Sequence, residues 1–171
     1  MNNEMQSNFF AAIDRMDKSQ RVALKRARGK TVHEVDLNTL SAFYQVLPAG
    51  VSATEENRWF FAACVHAGYD VGTKVSPIEK IIARYWQQKD TTESFRKNVI
   101  TLLDMKWDDE GFFAKKLSPF ITLLNQKGNA VDANSLLTSL LRWNSDSKFE
   151  QKIWIKAFNN FNNNKNNNQE D

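Results

Sequence analysis

The chain has 171 residues, 42% apolar and 25% charged, the make-up of a globular protein that needs no disulfide to hold its core. Gly and Pro together number nine, too few for the turns of an all-β sandwich or barrel, and the single cysteine, Cys64, excludes an internal disulfide and a cysteine-anchored zinc cluster. The net charge of +3 is uneven: residues 14–30 sum to +5, residues 31–79 to −4 and residues 80–165 to +5, which sets a basic face beside an acidic one, as expected for a polyanion on one side.

Helical periodicity then recurs along the chain with little between the segments. A first helix is expected over residues 7–16, with Phe9, Phe10, Ile13 and Met16 on one side. Ser19 reads as the N-cap of a short basic helix over 20–28, closed by Gly29. Residues 38–47 place Leu40, Phe43, Tyr44 and Leu47 at i, i+3, i+4 and i+7, and Pro48 ends the run. Glu55 to Tyr69 carries Trp59, Phe60, Ala63 and Ala67. Ser76-Pro77-Ile78-Glu79 reads as a capping box opening a helix that buries Ile78, Ile81, Ile82 and Tyr85. Thr92 precedes a helix with Phe95, Val99, Leu102 and Leu103, and Asp108 opens one with Phe113, Leu117, Phe120 and Leu124 that stops at Gly128. Asp132 caps a helix with Leu136, Leu137, Leu140 and Leu141, and Asp146 opens the last, through Phe149, Ile153, Ala157 and Phe158.

The result is an all-α fold of about nine short helices in a compact bundle, with no strand. Residues 1–158 form one domain, in which candidate hinges at 70–76 and Lys89–Thr92 would separate lobes at 1–90 and 91–158. The Asn-rich stretch 159–171 lacks the apolar surface to offset its ordering entropy and is expected to be disordered.

Signatures of catalysis are missing. There is no Walker loop or G-x-G-x-x-G, His33 and His66 are not spaced for metal ligation, and Cys64 lies on an apolar helix face. Asp108-Asp109-Glu110 could suggest a two-metal nuclease, but it falls where a helix begins and the dipole favours carboxylates. No enzyme activity, metal or cofactor is expected. No apolar run reaches the ~18 residues of a membrane span and the opening lacks a signal pattern, so a cytoplasmic protein is expected.

Basic stripes remain. Lys18, Arg21, Lys25 and Arg28 are spaced 3, 4 and 3, which aligns them on one helix face, and Arg26 and Lys30 widen it. Such a row repels itself unless something negative lies alongside: a phosphate backbone, which would also release counterions, or an acidic protein. Arg96 with Lys97, Lys115 with Lys116, and Arg142 ahead of Lys148, Lys152 and Lys156 are weaker candidates. Trp59, Trp86, Trp143 and Trp154 sit at apolar stripes and are expected to pack, whereas Trp107 is expected to be exposed.

The order of these elements resembles the CasB family, the small subunit of the type I-E CRISPR surveillance complex, Cascade. The resemblance rests on Arg21-Val22-Ala23-Leu24-Lys25-Arg26-Ala27, Ala42-Phe43-Tyr44 before Leu47-Pro48, Trp59-Phe60 before His66-Ala67-Gly68, and Ser76 opening a short helix. It continues through Phe95-Arg96-Lys97, Leu102-Leu103, Leu117 to Leu124, Val131-Asp132, Leu136-Leu137, Leu140, Arg142-Trp143 and a final Trp154–Phe158 helix, covering roughly residues 8–158. It implies a non-enzymatic, all-helical subunit present in two copies beside other Cascade subunits, whose basic faces stabilise the crRNA–target DNA duplex and the displaced strand without reading bases. Carried over by position, the nucleic-acid-facing residues would be Lys25, Arg26, Lys97, Lys115 and Lys116. The sequence departs from the family in having Lys at several positions that are usually Arg, and in its Asn-rich tail. A helical adaptor that docks an acidic protein, with no nucleic-acid role, is the alternative.

Overall fold

The computed structural model describes residues 3–88 and 91–166, with side chains for 4–88 and 91–159. Its helices are α1 (Asn3–Asp14), α2 (Lys18–Arg26), α3 (Leu37–Tyr44), α4 (Ala53–His66), α5 (Ile78–Trp86), α6 (Glu93–Asp104), α7 (Phe112–Gln126), α8 (Ala133–Arg142) and α9 (Phe149–Asn166), with a 3-10 turn at Val32–Glu34. The described residues are mostly helical, as the periodicity predicts.

The centre is set by Trp59-Phe60-Phe61-Ala62-Ala63-Cys64-Val65, an unbroken apolar run rather than a one-sided stripe. A helix apolar all round belongs inside a core, and each of these residues is 0% exposed in α4. The one-sided helices wrap it: α8 lies along α4, α1 touches both, and α2 packs on α3 and α4. Helix α5 turns Ile78, Ile81 and Ile82 inward and runs along α9, where Trp86 stacks on Phe158 with ring centres 5.3 Å apart. Edge-to-face pairs stitch these layers, Phe9 on Trp59 at 4.9 Å and Trp143 on Trp154 at 5.1 Å. Each pair contributes about 0.5–1.5 kcal/mol beyond its buried area.

The helix starts differ from expectation in informative ways. Asp17, not Ser19, caps α2: its carboxylate accepts the Gln20 N–H at 2.9 Å, and the Gln20 side chain accepts the Asp17 N–H at 3.3 Å. This reciprocal box satisfies two otherwise orphaned donors, so the helix begins earlier. Ser76 caps nothing. It lies in a two-residue strand, β1 (Val75–Ser76), paired in parallel with β2 (Ala130–Val131), and its carbonyl accepts the Asp132 N–H at 2.9 Å. Segments this short carry no periodicity, which is why the sequence shows no strand; α5 instead starts after Pro77 without a side-chain cap.

Asp108 does serve a helix start, from one turn upstream. Its carboxylate accepts the N–H groups of Phe112 and Phe113 at 2.8 Å each, across Gly111 at φ +81°. The last helix begins at Phe149 rather than Asp146, with the Ser145 hydroxyl accepting the Phe149 N–H at 3.2 Å. Trp107 is buried, contrary to the expectation of exposure: it is 4% exposed and packs against Phe61 and Phe113. Asn144 accepts its N–H at 2.7 Å and donates to its carbonyl at 2.9 Å, which holds the backbone so that the ring turns inward.

Helix α9 also continues to Asn166, into the stretch expected to be disordered; residues 167–171 lie outside the described residues. Once a helix is nucleated, each added residue closes a hydrogen bond without a new nucleation penalty, so even poor helix formers can extend a docked helix.

Candidate nucleic-acid interface

The end of α2, the turn after α4 and the end of α7 converge on a groove of about 400 Å³. Lys25 projects from the last turn of α2 and is exposed. Arg28, in the turn that follows, crosses to α7, where its Nη2 donates to Thr122 Oγ1 at 2.7 Å. Burial pushes the Arg28 guanidinium's pKa below its usual value, and its Nε is buried without a hydrogen-bond partner among the described residues. Lys74, exposed on the connection between α4 and β1, supplies the third cation. Among the described residues no carboxylate lines this groove.

Small residues let its walls close. Gly29 sits at φ +90°, and a Cβ there would meet Ser118 Cβ at 3.2 Å, so glycine allows the exit of α2 to lie against α7. Tyr69 forms the shared wall. Its hydroxyl accepts the Val131 N–H at 3.0 Å and pairs with the Asn125 amide at 2.7 Å, while Arg21 donates to its carbonyl.

The stripe read from the sequence therefore divides. Arg21 and Arg28 turn inward as donors to Tyr69 and Thr122, which relieves the repulsion along the row, and Lys18, Lys25 and Arg26 stay exposed. Lys25 and Arg26 in the last turn of α2 also complement the helix dipole. That explains two cations at the helix end but not Lys74, nor the lack of carboxylates.

The other candidates lie apart from this groove. Arg96 donates to the Trp86 carbonyl at 3.1 Å and lies 5.8 Å from the Trp86 ring centre. Lys97 pairs with Glu93 at 3.1 Å, and Lys115 with Glu34 at 2.7 Å. Lys116 and Arg142 are exposed, with no ion pair among the described side chains; Arg142 ends α8. The sequence reading missed Lys74, which adds a cation to an otherwise acidic block. Its only local signal is its place in the 70–76 stretch that reads as a hinge.

On the other side of Tyr69 lies an acidic cleft of about 350 Å³, lined by Asp14, Asp70 and Asp132. His66 Nε2 lies 2.9 Å from Asp14 Oδ1, and the Asp132 carboxylate accepts the Asn134 and Ser135 N–H groups at 3.0 and 3.3 Å. Among the described residues, no group of three or more His, Cys, Asp or Glu is placed to hold a metal, and no helix is long and apolar enough to cross a membrane.

No family model matches the sequence, and no curated protein matches it. Solved structures do. CasB of M. ruber is 18% identical with a TM-score of 0.73, over 96% of this chain and 98% of that one. A CRISPR-associated protein of the Cse2 family from Thermus thermophilus is 20% identical with a TM-score of 0.69, over 91% and 97%. A chain of a CRISPR RNA-guided surveillance complex is 14% identical with a TM-score of 0.71, over 92% and 93%. The chain thus has the fold of the CasB and Cse2 proteins along nearly its whole length, and the resemblance read from the sequence holds at the level of fold.

Proposed function

We propose that this protein is a non-catalytic small subunit of a type I-E CRISPR Cascade complex, working in the cytoplasm in antiviral defence. In this reading a second copy and larger subunits are its protein partners, and crRNA and target DNA its nucleic-acid partners. The observation that carries it is the likeness of fold to CasB over 96% of this chain and 98% of that one. The groove of Lys25, Arg28 and Lys74, which no carboxylate lines among the described residues, supplies a physical means. Lysines facing phosphates displace condensed counterions, which gives sequence-independent affinity that falls steeply with salt. Base pairing would read the target, and the protein would hold the opened strands.

A tagged pull-down from the native cell at moderate salt, with RNA and protein both sequenced, tests this reading. The expected result is recovery of short guide RNAs with several larger CRISPR subunits. Recovery of one acidic protein and no RNA would overturn it in favour of a helical adaptor, while leaving the fold untouched.

A further inference from the structure

Beside the basic groove, a cleft of about 230 Å³ opens between α5, α6 and the end of α7. Its floor is the half-buried rings of Tyr85 and Phe95, in contact with centres 6.2 Å apart at 49°, with Leu123 at its rim, 37% exposed. Phe95 is backed by Phe120 at 5.6 Å, so the aromatic floor is held from behind. Lys127 Nζ lies 5.0 Å from the centre of the Tyr85 ring, and Gln88 and Thr91 supply polar groups around the opening. As in the groove, no carboxylate lines it among the described residues. The two adjoin: Asn129, which lines the groove, donates to the Tyr85 hydroxyl at 3.3 Å.

We propose that this aromatic slot receives an unpaired base of a single strand whose phosphates run along the Lys25–Arg28–Lys74 groove. The inference rests on the nucleic-acid reading of that groove and adds a contact to it: a base stacked beside the bound phosphates. A base has apolar faces and polar edges, matching exposed ring faces beside the Gln88 amide, and only an unpaired base can present its face. Lys127 matches the adjacent phosphate, since it can leave the Tyr85 ring for the backbone when a base takes its place. An apolar side chain from a protein partner would suit the rings but would give the Gln88 amide and the Lys127 ammonium no partner.

The test uses the full chain and fluorescence anisotropy at low salt. It compares a labelled single-stranded DNA oligonucleotide with an abasic one of the same length and charge. The base-bearing strand is expected to bind about 5- to 150-fold tighter, the range for one stacked base. Leu123→Phe, which plugs the slot from its exposed rim, is expected to erase that difference and spare the affinity for the abasic strand. Equal binding of both strands by the wild type, with a normal salt dependence, would overturn the slot and leave the groove standing. If neither strand binds, the nucleic-acid reading of the groove falls, and the slot with it.

Discussion

The basic groove and the acidic cleft share a wall, since Tyr69 and Thr73 line both, yet they collect opposite charges. Asp70 faces the cleft and Lys74 the groove, four residues apart. Between them the Thr73 N–H donates to the Asp70 carbonyl at 3.1 Å and Gly72 sits at φ +84°, a tight turn that reverses which side the chain faces. Charge on a folded surface is sorted by such turns, not by the order of blocks along the sequence. Asp14 comes from the strongly basic stretch 14–30 and lines the acidic cleft, while Lys74 comes from the acidic stretch 31–79 and lines the basic groove.

The most direct way to break this comparison is to remove the wall. Tyr69→Ala deletes a half-buried ring and strands the Val131 N–H, at a cost of about 2–4 kcal/mol. The melting temperature is expected to fall by about 5–15 °C in calorimetry, with both clefts lost together. Tyr69→Phe keeps the ring and loses only the hydroxyl, so it should cost about 1–3 kcal/mol. A Tyr69→Ala protein as stable as wild type would show that the wall does not hold the two sides apart.

A smaller contrast lies within the basic stripe. Arg28→Ala removes a packed stem and the bond to Thr122 that ties α2 to α7, and is expected to lower stability by about 1–3 kcal/mol in urea unfolding. Lys25→Ala, at an exposed site, should stay within about 0.5 kcal/mol of wild type. It should nonetheless reduce the log–log salt slope of nucleic-acid binding by about 0.7–0.9, one phosphate's worth. If the two variants destabilise equally, the division of the stripe into inward Arg21 and Arg28 and outward Lys18 and Lys25 is wrong.

That division marks the limit of what the sequence could disclose. Helices were legible because a 3.6-residue period is a local property: the stripe of Ile78, Ile81 and Ile82 needs no knowledge of what covers it. Spacing also puts Arg21, Lys25 and Arg28 on one face, but whether a guanidinium turns in or out depends on acceptors far along the chain. The Tyr69 carbonyl is 48 residues from Arg21, and Thr122 is 94 residues from Arg28. The burial of Trp107 was illegible for the same reason, since Asn144, which turns its ring inward, lies 37 residues away. The strand pair and the groove arise only when residues near 75 meet residues near 130, and no local pattern announces such a meeting.

The smallest effect separates a structural lysine from a binding one. Lys115 lines neither cleft, and its ammonium lies 2.7 Å from Glu34. The Lys115 side chain, and then the Thr31 N–H, hold the Glu34 carboxyl below the usual carboxylate range. A folded-state pKa below the unfolded one gives stabilisation that is present above the unfolded value, about 4.3 for Glu, and is lost as pH falls through the folded value. Both groups are largely exposed, so solvent screening keeps the pair to under about 1 kcal/mol. Lys115→Gln should therefore lower stability by that small amount near neutral pH and have no effect in acid, where Glu34 is protonated. The salt slope of nucleic-acid binding should match that of the wild type. A lowered slope, with pH-stability curves that coincide throughout, would instead make Lys115 a phosphate contact and extend the basic surface beyond the groove.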